Sequence, residues 1–352
     1  FRRYVVGRLL VGIGVCAIFA AGATPAHAQI SFGRTVAVGD GEVLIGEPGN
    51  QATPGYVYVY RPDSGGWAEI VVLSAEDATD SDGFGSGISI DGDRLVVGAE
   101  LQGAGAAYVF EKQDGNWVQV AKIEAPNGVA GNLFGTSVGI SGDHLIVGAP
   151  EASGGSGAAY VFERQGDGWQ QVAALSGEGI DDERFGASVA IDGDWAIAGA
   201  PGGKIDFFLA GYASSATPGM AHTFERGDDG WEQAGRLSGS ADGAYFGHAV
   251  AMHSGQVMVG APGANGLIGA VGLYVYDPAA ENWAQLPGLE PYDRLPGSYF
   301  GSSIAFSDDE AFIGAPGAAG RLGRVYHFTR SSLTNWDSAT KLGAANLGQF
   351  SI

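Results

Sequence analysis

The sequence predicts an all-β chain built from one repeated four-stranded antiparallel sheet, and three observations predict it. Phe-Gly recurs six times, at Phe32-Gly33, Phe84-Gly85, Phe134-Gly135, Phe185-Gly186, Phe246-Gly247 and Phe300-Gly301. Fourteen residues after each Phe stands the glycine of a second motif (Gly46, Gly98, Gly148, Gly199, Gly260, Gly314), and four of the six copies read Gly-Ala-Pro. Every copy then carries a tryptophan (Trp67, Trp117, Trp169, Trp231, Trp283, Trp336) followed six residues later by Leu or Ile. A constant gap around variable residues fixes a backbone path, and a period of roughly fifty residues belongs to stacked repeat architectures.

The middle of the first gap is a turn. Asp91-Gly92-Asp93, Ser141-Gly142-Asp143 and Asp192-Gly193-Asp194 are its clearest copies, and Gly39-Asp40-Gly41, His253-Ser254-Gly255 and Ser307-Asp308-Asp309 are looser ones. Gly, Asp and Ser suit a tight hairpin because they accept positive φ or bond back to the backbone. Two strands flank it, as in Thr136–Ile140 and His144–Val147. A third strand follows each Gly-Ala-Pro: Tyr56–Tyr60, Ala106–Phe110, Ala158–Phe162, Met220–Phe224, Leu273–Tyr276 and Arg324–Phe328. These runs are apolar on both faces, as in covered strands. The fourth strand starts at the tryptophan and is more polar (Gln170, Gln171, Glu232, Gln233), as an outer edge should be. Sheets that are apolar on both faces must be sandwiched between copies of themselves, and a ring of them is a β-propeller.

The chain has 352 residues, 61 of them glycine, and a formal net charge of −21. That balance argues against nucleic acid as a partner, since phosphate affinity comes from Lys and Arg. Residues 1–28 read as a secretory signal: Arg2, Arg3 and Arg8 precede an apolar run from Leu9 to Ala21, and Ala26-His27-Ala28 is a small-x-small cleavage site. No later stretch approaches the length of a membrane span, so the mature chain is expected to have no transmembrane segment. Cys16 is the one cysteine and falls inside that leader. The mature protein is then expected to hold together by packing alone, with no disulfide.

Phe-Gly followed by Gly-Ala-Pro, repeated over residues 31–352, resembles the FG-GAP repeat family, best known from the N-terminal propeller of integrin α subunits. The resemblance implies a propeller more firmly than any activity. The integrin-like propeller has seven blades. Six full repeats stand here, and Phe350, fifty residues after Phe300, falls where a seventh would begin, so a seven-bladed ring with its last blade truncated is the expectation. Members of the family often hold calcium in the first hairpin. The hairpins here are tight turns with at most two carboxylates each, whereas calcium takes six to eight oxygens, so that site is not carried over.

Two stretches stand out as candidate sites. Asp77, Asp80 and Asp82, beside Glu76, cluster in the loop entering the second repeat, either as a calcium site or as an acidic turn. The fourth repeat carries an insert, Gly202 to Gly219, with Phe207, Phe208, Leu209 and Tyr212. Apolar rings on a long loop are either a ligand-binding surface or a cap folded onto the ring. The repeated Phe and Trp rings read as core, because burying each contributes about 4–6 kcal/mol as an upper estimate. Trp195 is the odd one out, starting a second strand where other copies have Arg94, His144 or Val257, and is expected to be partly exposed. His144, His222, His248, His253 and His327 share no metal-ligand spacing, and no nucleophile motif or phosphate loop stands out. The functional expectation is a secreted or cell-surface binding and adhesion module whose loops meet an extracellular protein or glycan. A polysaccharide lyase or hydrolase at the channel mouth, and a structural domain of a larger surface protein, are the alternatives.

Overall fold

The computed structural model describes residues 32–39, 41–49, 53–64, 66–126, 128–203, 218–239, 244–332 and 335–342. Six four-stranded antiparallel sheets make a β-propeller, each with its strands in chain order from one edge to the other. The blades span Thr35–Leu73, Phe84–Glu124, Ser137–Leu175, Ser188–Ser238, Ala249–Leu289 and Ser303–Leu342. First strands of successive blades pack against one another, while fourth strands barely meet, so the first strand lies innermost and the tryptophan-led strand outermost. The leader, the insert at 204–217 and the expected further repeat at Phe350 lie outside the described residues. The third strand of blade 5 runs Ala270–Asp277, three residues earlier than the sequence suggested, because Gly272 interrupts its apolar run without ending the strand.

The core is a series of layers between blades. Leu44, Val57 and Val59 of blade 1 meet Leu95, Val97, Tyr108 and Phe110 of blade 2 in one cluster, and the later interfaces repeat the arrangement. Five of the six Phe of Phe-Gly sit in such layers, Phe84, Phe134, Phe185 and Phe300 fully buried, while Phe32 of blade 1 is half-buried. Trp195 is partly exposed as expected, its ring set edge-on to Trp283 at 5.3 Å.

The two repeated motifs fasten neighbouring blades. Within a blade, the Phe-Gly glycine donates its N–H to the carbonyl of the Gly-Ala-Pro glycine, as Gly135 does to Gly148 at 3.0 Å. Across the interface, a Cβ added to Gly98, Gly148, Gly199 or Gly260 would stand 1.9–2.0 Å from the carbonyl oxygen of the next blade's Phe-Gly glycine. The same carbonyl accepts a hydroxyl from the preceding blade's first strand, Ser137 Oγ to Gly186 O at 2.9 Å and Ser188 Oγ to Gly247 O at 2.8 Å. The glycines are therefore set by the close approach of two backbones.

The first hairpins are linked in the same direction. Gly142 N–H donates to Asp91 Oδ2 at 2.7 Å, Gly193 N–H to Ser141 Oγ at 3.0 Å, and Ser254 N–H to Asp192 Oδ2 at 2.7 Å. The turn acids thus spend their oxygens on the next blade's backbone.

Candidate functional site

Antiparallel order puts two loop sets at one end of the ring, those from second to third strands and those from blade to blade. This upper end also carries both motifs, and the lower end carries the hairpins. The two ends differ in chemistry. Leu101, Val129, Ile180, Tyr292, Leu295 and Leu322 are each 39–60% exposed, and all six lie on upper loops. The remaining exposed large apolar side chains among the described residues sit on outer strands, at Ile70, Val71, Val72, Val118, Val120 and Val172. The lower hairpin turns hold none of these side chains among the described residues, and ion pairs link neighbouring blades there, such as Arg94 with Asp143 at 2.8 Å and Arg226 with Glu163 at 3.2 Å.

The upper-end charges are held by partners in the chain. Glu100, standing where the other five copies have proline, accepts from Thr136 Oγ1 at 2.8 Å and lies 3.7 Å from Arg34. Arg184, nearly buried, pairs with Glu151. Glu183 is buried and accepts from the backbone N–H groups of Glu178 at 3.0 Å and Ile180 at 3.3 Å, with His222 Nε2 3.5 Å away. Burial pushes the Glu183 carboxyl up, but His222 and the two amides outweigh it and hold the group below the usual carboxylate range. His222 fills the strand position of Tyr108 and Tyr160 and is packed, as the repeat alignment suggested.

The aspartate cluster is spread over three environments. Asp77 meets Lys122 Nζ at 2.6 Å and accepts the Tyr108 hydroxyl at 2.8 Å, and the lysine above all holds its carboxyl below the usual range. Asp82 is buried and accepts from Thr79 N and Oγ1 at 2.6 and 2.7 Å, closing the turn. Asp80 is exposed. Among the described residues no set of three His, Cys, Asp or Glu side chains is gathered as for a metal ion. In blade 6 the pattern of Asp77 recurs: Asp293 takes the Tyr326 hydroxyl at 2.8 Å and Arg324 at 2.9 Å, and burial, reinforced by that aspartate, pushes the phenol up to about 12. Acids so partnered lock the entering loops onto third-strand rings. Phe207, Phe208, Leu209 and Tyr212 lie outside the described residues, though both ends of their insert leave the upper end: Gly202 N–H donates to Glu183 O, and Pro218 O accepts from Phe246 N.

His248, directly after the fifth Phe-Gly, is held down to about 4 by burial and then by the charge of Arg184. The unfolded chain takes up that proton near pH 6.5 and the folded chain only near 4, so stability falls as the pH drops between those values. Replacing His248 by Ser, the residue at Ser86 and Ser302, should flatten that part of the pH dependence in urea melts at pH 7 and pH 5. Equal slopes for variant and parent would assign the effect elsewhere.

The fold and the two-ended surface define a six-bladed propeller that displays variable loops at one end. The FG-GAP repeat family matches at residues 67–110 and 117–162, so that stretch carries the FG-GAP repeat. By structure the chain is similar to the periplasmic gluconolactonase PpgL of Pseudomonas aeruginosa, with a TM-score of 0.56 at 15% identity, covering 86% of this chain and 82% of that one. It is similar also to a protein from Lactobacillus plantarum, with a TM-score of 0.58 at 12% identity and the same coverage, 86% and 82%. At such identities the likeness is one of fold. No curated protein matches the chain by sequence. Among the described residues no helix is long and apolar enough to cross a membrane.

The apolar upper rim was missed by sequence reasoning because its members are single residues in loops of differing length. Glu100 had a signal, its departure from Gly-Ala-Pro.

Proposed function

We propose that the chain is a secreted, non-enzymatic binding or adhesion module whose upper end engages an extracellular protein or glycan. The observation that carries the reading is the placement of exposed apolar side chains: among the described residues six lie on upper loops and none on the lower hairpin turns. Loops displayed on a rigid scaffold are where binding residues concentrate. The insert adds Phe207, Phe208, Leu209 and Tyr212 to the same end, by sequence. The paired states of Glu183, Asp77 and Asp293 support binding over proton transfer, since a general acid or base needs a group poised near the working pH.

A glycan and matrix-protein array probed with the whole chain tests this. Replacing residues 203–218 by a short turn should abolish capture of the ligand found there and leave the melting temperature unchanged. Capture retained with a lowered melting temperature would make the insert a cap, and turnover of an acidic polysaccharide would overturn the non-enzymatic reading.

A further inference from the structure

Position 272 breaks the blade pattern. In the other five blades a third-strand ring packs against the Phe of Phe-Gly: Tyr58, Tyr108, Tyr160, His222 and Tyr326, with ring centroids 5.2, 5.7, 5.7, 5.5 and 5.3 Å from it. Blade 5 has Gly272 at that register, opposite Val259 as Tyr108 is opposite Val97. The fourth strand shifts register there, pairing Val271 with Leu289 but Leu273 with Leu286, so the shift falls at Gly272, one position earlier than in the other blades. What the missing ring leaves is a cavity of about 320 Å³ at the upper end of blade 5.

The walls of that cavity have a definite chemistry. Phe246 offers the ring that its counterparts present to a tyrosine or, in blade 4, to His222, and Asn265, Gln285 and Glu290 stand around it. Tyr274 holds the place of Phe110 and Phe328, 6.3 Å from Phe246, but carries a hydroxyl they lack. That oxygen lies 3.2 Å from where a Cβ on Gly272 would stand, at the root of the vacated slot. In blades 2 and 6 the ring that fills the slot has its own hydroxyl tied, to Asp77 and to Asp293, at 2.8 Å each.

We propose that the blade 5 cavity binds a phenolic ring supplied from outside the chain, seated where the other blades carry their own ring. The volume is at the lower end of small-molecule sites. Phe246 meets the guest edge-on, a geometry contributing about 0.5–1.5 kcal/mol beyond area burial. The Tyr274 hydroxyl and the amides of Asn265 and Gln285 offer partners to the guest's hydroxyl, which a plain hydrocarbon would leave unused. The guest is either a free small phenol or a tyrosine side chain of a partner protein. The site stands independently of the insert and of the upper-end binding reading.

Calorimetric titration of the whole chain with p-cresol, N-acetyl-tyrosinamide, toluene and glucose tests it. Saturable p-cresol binding with a dissociation constant of roughly 0.1–10 mM is expected, with toluene at least about tenfold weaker. N-acetyl-tyrosinamide binding as well as p-cresol assigns the site to a partner's tyrosine, and its exclusion assigns it to a free phenol. Gly272→Tyr should restore the ring, raise the melting temperature and abolish p-cresol binding. Because a Cβ at 272 falls 2.9 Å from the Tyr274 ring, which must then swing aside, Ala264→Phe at the mouth is the second variant, and it leaves the strands untouched. Either variant, folded and blind to p-cresol, supports the site. No p-cresol binding by the parent, unaltered binding in both variants, or glucose bound in its stead overturns it.

Discussion

Gly148→Ala should destabilise the propeller by at least about 3 kcal/mol, far more than a methyl group costs at an ordinary surface position. The added Cβ would stand 2.0 Å from Gly186 O and 2.3 Å from Ser137 Oγ. Neither neighbour can retreat freely. The carbonyl belongs to the next blade's Phe-Gly and accepts that same serine hydroxyl, while Gly186 N–H is committed to Gly199 O at 2.9 Å. Relief therefore requires two blades to separate, which opens the apolar layer of Ile146, Val161, Phe185 and Ala198 between them. Gly142→Ala is the control: its φ of +55° disfavours a side chain, but a Cβ there meets nothing within 4 Å, so the strain alone should cost about 1–2 kcal/mol. Urea unfolding of both variants decides the matter. Equal losses would mean that the close backbone approach is not what the motif glycine serves.

How much of this was readable in the sequence depends on distance along the chain. The hairpin between the motifs was legible because its strands and turn lie within fourteen residues, as was the outer place of the tryptophan strand, through its polarity. The reason for the motif was not. Gly148 needs no side chain because of Gly186, and a single repeat carries no sign of which neighbour presses on it. The aspartate loop shows the same limit. Asp77 looks like one of three free carboxylates until the fold brings up Lys122, forty-five residues on, and Tyr108. Gly272 had a signal, since aligning third strands on their register sets it against four tyrosines and a histidine. It was lost by starting the strand at Leu273, where the apolar run resumes.

The lower end offers the second large effect. Glu42 opens the second strand of blade 1 and is 1% exposed, a burial a carboxylate tolerates only with partners. It has three: Arg61 Nε at 2.6 Å, Trp117 Nε1 at 3.0 Å and Lys112 Nζ at 3.4 Å, the last two from blade 2. The same register in other blades holds side chains that also reach across, His144 to Trp231 at 6.1 Å between rings and Trp195 to Trp283 at 5.3 Å, so the position is an inter-blade lock whose chemistry varies. Glu42→Ala should cost about 1–3 kcal/mol, because it takes the acceptor from the buried Trp117 indole and removes one carboxylate from beside Lys112. Arg61 keeps its exposure to water and contributes the least to that loss. Glu42→Gln retains an acceptor for the indole and should fall between parent and Ala. In a double-mutant cycle with Trp117→Phe, the coupling between the two sites should exceed about 1 kcal/mol. Additive losses would show that Glu42 is held by its own blade through Arg61, and that the belt of lower-end contacts does not bind blade 1 to blade 2.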